Sequence, residues 1–236
     1  MNSGYHSRLG LMEDWYGDFL RAEDREEVLL RDFEPHAAYL GMLRGQVIDI
    51  GGGAGLPARF MKADVAYVVV DPSKIWSSPE WFELGERFRQ LGPKPNFVDA
   101  PGEQLPFPDG DFDAALSLWT LNHVRDPAAC LREMARVMKR GASARLVLED
   151  VEPSWMDLLG DGFRRVGRRL SGRHGQAGIH LHPLSAAAAK IRRTWPLQED
   201  HLRISDRDLR RWLRPHFRIR RRSWLGGCLT YDLEKP

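Results

Sequence analysis

The stretch Val47-Ile48-Asp49-Ile50-Gly51-Gly52-Gly53-Ala54-Gly55-Leu56-Pro57-Ala58-Arg59-Phe60, followed by Val68-Val69-Val70-Asp71, decides the fold of this 236-residue chain. An apolar, β-branched run enters a glycine-rich turn, and Pro57 stands where a helix would open. A second apolar run ends on an acid, Asp71, twenty residues after Gly51. Glycine takes the backbone angles such a turn demands, and its missing Cβ lets a ligand lie against the main chain. Proline suits a first helical turn because its absent N–H would be unpaired there anyway. In a parallel α/β sheet this arrangement holds a nucleoside at the carboxyl ends of the strands, with a strand-end carboxylate accepting from the ribose diol.

The glycine spacing separates two kinds of turn. A dinucleotide turn, Gly-x-Gly-x-x-Gly, starting at Gly51 would need glycine at position 56, where this chain has Leu56. The glycines fall instead at 51, 53 and 55, with Asp49 two positions ahead. Downstream runs Phe97-Val98-Asp99-Ala100-Pro101-Gly102-Glu103-Gln104-Leu105-Pro106-Phe107-Pro108-Asp109-Gly110-Asp111-Phe112-Asp113, then Ala114-Ala115-Leu116-Ser117-Leu118-Trp119. Leu121-Asn122-His123-Val124 and Asp126-Pro127 follow, then the helical pattern Leu131 to Gly141 and the apolar run Ala144 to Asp150.

Asp-x-Gly-x-Gly-x-Gly with this Ala-x-x-Glu-x-Leu-Pro-Phe-x-Asp-x-x-Phe-Asp stretch resembles the small-molecule ("type 11") branch of the class I S-adenosylmethionine-dependent methyltransferases. The resemblance covers residues 45–151 and resumes over 205–236. It implies an α/β fold: a doubly wound, mostly parallel, seven-stranded Rossmann-like sheet with an antiparallel C-terminal hairpin, an N-terminal helical cap and a helical insertion after the fifth strand. It implies S-adenosylmethionine as cofactor, S-adenosylhomocysteine as product, and a cofactor site of Asp49, Gly51, Gly53, Gly55, Asp71, Pro72 and Trp119. Many relatives carry an acid where this chain has Pro101 or Gly102. Asp99 from upstream, or groups at Gly102 and Glu103, would then meet the adenine; a solvated strand-end carboxylate is the other reading of Asp99.

Pattern and turn signals predict strands at 46–50, 66–70, 96–98, 113–118, 144–150, 216–224 and 227–234. They predict helices at 56–63, 79–91, 127–139 and 205–214, with helical character over 11–43 and Pro35 opening a second helix there. Leu225-Gly226-Gly227 signals a hairpin. Four segments follow: a helical cap (1–44), a cofactor-binding core (45–151), a substrate-lid insertion (152–204), and a closing helix and strand pair (205–236). No run of eighteen apolar residues exists, so no membrane span is expected. The start of the chain lacks the apolar core of a signal peptide, and a cytoplasmic protein is expected. Cys130 and Cys228, one in a predicted helix and one in a predicted strand, read as buried free thiols.

Charge is divided unevenly. Residues 1–150 hold 17 Lys+Arg against 24 Asp+Glu, and residues 151–236 hold 18 against 9. Arginines 164, 165, 168, 169 and 173 crowd the predicted lid. As planar forks they would pair with an anionic acceptor, Arg168 in particular. Otherwise they form a solvated helix face with Phe163, Val166 and Leu170 turned inward. The basic part also admits RNA as acceptor, but the Asn/Asp-Pro-Pro-Tyr/Phe pattern of base amino methylation and an appended RNA-binding module are missing, so nucleic acid is not the expected partner. A third reading keeps the cofactor fold without catalysis.

The expected activity is methyl transfer by in-line displacement to a small, anionic molecule of specialised metabolism. Such a step needs positioning and, for a protic nucleophile, a base. His123, following the fourth strand, is the first candidate base; its other reading is a histidine tying that loop to the backbone. Glu149 and Asp150 are further candidates, and His180 in the lid is another because imidazole titrates near neutrality. His182 and Trp15 are expected at the acceptor, and Tyr16 at the sulfonium, where a ring face attracts a cation. No carboxylate or cysteine lies near His180-x-His182 to complete a metal set, so no metal is expected. Neither the acceptor's identity nor an oligomeric state is encoded in these motifs.

Overall fold

The computed structural model describes residues 3–171, 183–192 and 194–236, with main chain alone for 3, 164–171 and 183–184. Seven strands form one sheet: β1 (Gln46–Ile50), β2 (Ala66–Val70), β3 (Asn96–Val98), β4 (Phe112–Leu118), β5 (Met138–Leu148), β6 (Arg218–Leu225) and β7 (Cys228–Glu234). Their order is β3-β2-β1-β4-β5-β7-β6, parallel through β5, with β7 antiparallel between β5 and β6. This is the expected fold.

Alternation along the strands builds a core on each face. Ile48, Ile50, Ala115, Leu146 and Leu148 face one way, against Leu131 and Met134 of α5 (Pro127–Val137) and Leu209 and Leu213 of α8 (Asp206–Leu213). Val47, Val69, Ala114, Leu116 and Val147 face the other, against Trp81, Leu84 and Phe88 of α4 (Pro79–Arg89). Strands buried on both faces need near-continuous apolar runs, as β1 and β2 have.

The cap is α1 (Ser3–Phe19), α2 (Arg25–Phe33) and the short α3 (Ala37–Leu40). After β5 come α6 (Trp155–Ser171) and α7 (Pro183–Arg192). Three expectations change. The helix placed at 56–63 is a 3₁₀ turn over Leu56–Phe60 that stops when Met61 turns extended. The helix placed at 127–139 ends at Val137, because β5 begins at Met138, six positions before the predicted strand, to pair with Phe112 of β4. Phe163, expected inward on α6, is 78% exposed, while Val166 and Leu170 have side chains outside the described residues. Among the described residues no helix is long and apolar enough to cross a membrane. Cys130 and Cys228 are buried free thiols.

Candidate active site cleft

Strand order reverses between β1 and β4, and a ligand crevice is expected outside their carboxyl ends. A cleft of about 1040 Å³ opens there. Its floor is the glycine turn after β1. Gly51 N donates to Val70 O at 2.7 Å, fixing the turn to β2. Gly51 and Gly53 have φ of +70° and +54°. A Cβ on Gly51 would stand 2.0 Å from Thr120 Cγ2, and one on Gly53 would meet the Trp76 ring at 3.1 Å. Gly55 serves packing, since its Cβ would stand 2.9 Å from Pro95 Cγ.

Asp71 closes the turn from the side. Its carboxylate accepts from Gly53 N at 3.1 Å and Ser73 N at 2.9 Å. Burial pushes its pKa up to about 6 despite those bonds. Ser73 Oγ donates to Glu13 Oε1 at 2.6 Å, tying the cap helix α1 to the β2 loop. Asp49 is buried beneath the turn and accepts from Tyr67 Oη at 2.6 Å. Burial raises its pKa to about 7.

Trp76 divides the site. With Gly53, Ala54 and Trp81 it lines both the main cleft and a second groove holding Asp71, Lys74, Phe97 and Asp99. Tyr16 meets the edge of Trp76 at 4.6 Å between centroids, and Trp15 packs against Tyr16 and Phe19. Both Trp15 and Tyr16 line the main cleft, as does Trp119. Trp119 has φ of +58° and donates through Nε1 to Cys228 Sγ at 3.3 Å.

The other expected cofactor contacts have the following places. Asp99 is exposed, lines the second groove and pairs with Lys74. Gly102 lines neither groove; a Cβ there would strike Ile50 and Cys130, so its glycine serves packing. The Glu103 carboxylate is occupied by the backbone N–H groups of Arg125 and Asp126, at 2.7 and 3.1 Å. Pro72 is exposed and lines neither groove. His180 and His182 lie outside the described residues, as does the side chain of Arg168.

At the far end of the cleft stands a cluster that the sequence reading only half names. His123 and Glu149 are there, but so are Asp200 and His201. The two imidazoles meet edge to face at 4.6 Å. His201 Nδ1 lies 2.9 Å from Asp150 Oδ2, which also accepts from Gln198 N at 2.8 Å. His201 Nε2 lies 3.4 Å from Glu149 Oε1. Asn122 brings the segment in: Leu202 N donates to Asn122 O at 2.7 Å, and Asn122 Nδ2 donates to Glu149 O and Leu202 O, both at 3.3 Å. The only sequence signal was the Asp200-His201 pair itself, eighty residues from the loop it joins.

Burial sorts these groups. It pushes the Glu149 carboxyl up to about 7. It lowers His123 to about 4, helped by the neighbouring His201 charge. For His201 burial also lowers the pKa, but the Asp150 bond and the Glu149 and Asp200 charges outweigh it, and the net shift is upward. Burial thus weakens His123 as a base and strengthens Glu149. The described cleft lining includes Asp32, Asp49, Glu149 and Asp200 and no Lys or Arg.

Comparison with known proteins agrees with this geometry. Residues 48–146 match the model of a family described as a methyltransferase domain. The chain is 38% identical over 120 residues to a ubiquinone/menaquinone biosynthesis C-methyltransferase of Enterobacter sp. (strain 638), covering 48% of this chain and 46% of that protein. It is 37% identical over 101 residues to an uncharacterized methyltransferase of Mycobacterium sp. (strain JLS), covering 42% and 37%. The matched part thus spans less than half the length of these curated relatives. In fold it is similar to magnesium protoporphyrin IX methyltransferase from Synechocystis PCC 6803 (TM-score 0.57, 17% identity, 97% of this chain and 100% of that one). It is also similar to the N-methyltransferase NodS from Bradyrhizobium japonicum WM9 (TM-score 0.57, 12% identity, 100% of both chains).

Proposed function

Since residues 48–146 match a family described as a methyltransferase domain, we propose that this chain is a class I methyltransferase that binds S-adenosylmethionine across the glycine turn and transfers its methyl group to a small molecule held at the His123–His201 end of the cleft. The observation that carries this reading is the join of Gly53 to Asp71: a left-handed glycine turn bonded to a half-buried strand-end carboxylate. The residues fit the cofactor. The glycine turn lines both grooves, a Cβ at Gly53 would press on the Trp76 ring that stands between them, and Asp71, in the second groove, offers carboxylate oxygens to ribose hydroxyls.

S-adenosylmethionine supplies an electrophilic methyl, so this chain's residues have mainly to position and deprotonate the acceptor. Trp15, Tyr16, Phe19, Phe33 and Trp119 give the cleft an aromatic wall suited to a planar or apolar acceptor. Glu149 takes the acceptor's proton. A carboxylate raised to about 7 suits general-base work near neutral pH. An acidic cleft speaks for a neutral or amine-bearing acceptor over the anionic one that the arginines of the lid suggested. Three of the four arginines of β6 are engaged: Arg218 and Arg220 pair with Glu234, and Arg222 with Asp157 and Asp206. That favours a small acceptor over RNA, and we assign the reaction to specialised metabolism.

Calorimetry with S-adenosylhomocysteine tests the cofactor site. Wild type is expected to bind one equivalent, Asp71→Ala about tenfold or more weakly, and Gly53→Val not measurably. Undiminished binding in both variants would remove the assignment. Methyl transfer from a labelled donor to panels of phenols, amines and carboxylic acids then ranks the acceptor classes.

A further inference from the structure

We infer that His123, Asp200 and His201 form a site for a divalent transition-metal ion at the acceptor end of the cleft, with Glu149 beside its open position. The site rests on geometry. One ligand atom from each of the three residues lies within 4.8 Å of the others. His123 Nδ1 is 3.6 Å from Asp200 Oδ2, and His201 Nε2 is 3.9 Å from Asp200 Oδ1. These separations are too long for hydrogen bonds. They are close to the ~3.3–3.6 Å that separates donors sharing an ion at ~2.0–2.2 Å in tetrahedral array. His123 Nδ1 is buried and has no hydrogen-bond partner among the described residues. An ion between these atoms would satisfy it.

The surroundings have the form of a metal site's outer layer. A ligating imidazole ordinarily has its other nitrogen held by a carboxylate, which fixes the ring and leaves one nitrogen free to coordinate. Asp150 does this for His201 at 2.9 Å, and Gln198 N holds Asp150 in turn at 2.8 Å. Three protein ligands with one position open is the arrangement of a catalytic centre, where a fully enclosed structural centre would have four. Two imidazoles with one carboxylate suit zinc, cobalt or nickel better than magnesium or calcium, which favour all-oxygen sets. The three ligands come from two places, the loop after β4 and the segment ahead of α8, so the ion would also clamp that segment over the cleft.

Ion binding itself does not depend on methyl transfer. Its role does rest on the reading above: the open position would take an oxygen or nitrogen donor of the acceptor and hold it beside Glu149. The acceptor class implied is one with a coordinating hydroxyl or amine.

The test is titration of tag-free, chelator-stripped full-length protein with Zn²⁺ alone, and with Co²⁺ followed by visible absorption. One equivalent per chain and a tetrahedral Co²⁺ spectrum are expected. His201→Gln and Asp200→Asn should lose the saturable binding, Asp150→Asn should weaken it about 10–100-fold, and the remote Asp109→Asn should leave it unchanged. S-adenosylhomocysteine binding measured on every variant reports whether the fold persists. No saturable ion uptake by folded wild type overturns the site, as does uptake unaltered in both His201→Gln and Asp200→Asn. Protein that binds the nucleoside but no ion loses only this inference. Protein that binds the ion but no nucleoside loses the proposed function and keeps the site.

Discussion

Burial acts in opposite directions on Glu149 and His123, two of the titratable groups that face the acceptor end of the cleft. It makes Glu149 a stronger base than an ordinary carboxylate and His123 a weaker one than an ordinary imidazole, because in each case the charged form is disfavoured. With Glu149 as the base in chelator-stripped protein, kcat is expected to rise with pH up to about 7 and then level off, since only the deprotonated carboxylate accepts a proton. Glu149→Gln should lower kcat by about 10²–10⁴-fold and flatten that limb. A pH–rate profile of the variant that keeps the same rise would assign the base elsewhere. Asp49 gives a second residue-scale prediction. Its carboxyl is raised from 3.8 to about 7 in the folded chain, so the folded state holds an extra proton between those values and stability falls as pH rises across that window. Asp49→Asn keeps an acceptor for Tyr67 Oη and removes the charge. Urea unfolding should then show a shallower decline over that pH range and a variant more stable at pH 8 by about 1–3 kcal/mol.

At the scale of elements, the hairpin β6–β7 turns through two glycines, both left-handed, with φ of +55° at Gly226 and +87° at Gly227. Two-residue hairpin turns of this kind match the twist of the strands they join. Gly227→Ala should cost about 1–2 kcal/mol in unfolding free energy, the penalty of a Cβ in that region. Gly226→Asn should cost much less, because asparagine enters it readily. Equal losses in thermal unfolding would mean that the turn tolerates or rejects side chains for another reason. The same sheet shows why helix ends were misplaced from sequence. The 127–139 pattern is helical by propensity, yet Met138 leaves the helix to pair with Phe112, since the sheet offers it burial on both sides.

Across the whole molecule, Arg222 joins three elements. Its guanidinium bonds Asp157 of α6 at 2.6 and 2.8 Å and Asp206 of α8 at 3.2 Å, and Tyr231 of β7 donates to the same Asp206. These bonds outweigh burial and hold Asp157 at about 2. Arg222→Ala would leave the largely buried Asp157 without its guanidinium, while Asp206 keeps Arg210 and Tyr231, and a loss of about 3 kcal/mol is expected. Limited proteolysis should show cleavage beginning near α6 before the sheet is lost. Protection of α6 equal to that of wild type would mean that apolar packing, not this ion pair, docks it.

The sequence by itself determined the sheet, the glycine turn and Asp71, because each is local: alternation, glycine spacing and a strand-end acid all fall within about 30 residues. It could also place His123 and Glu149 at strand ends, though not say which of them is the stronger base, since that depends on how deeply the surrounding chain buries each. Only the tertiary structure brought Asp200 and His201 against His123. Their approach is made by Asn122 bonding a segment eighty residues away, and no period or spacing records such a contact. It also decided that Glu103 serves a loop and that Trp76 stands over Gly53, since a free carboxylate and a free ring read alike in sequence until the fold supplies their neighbours.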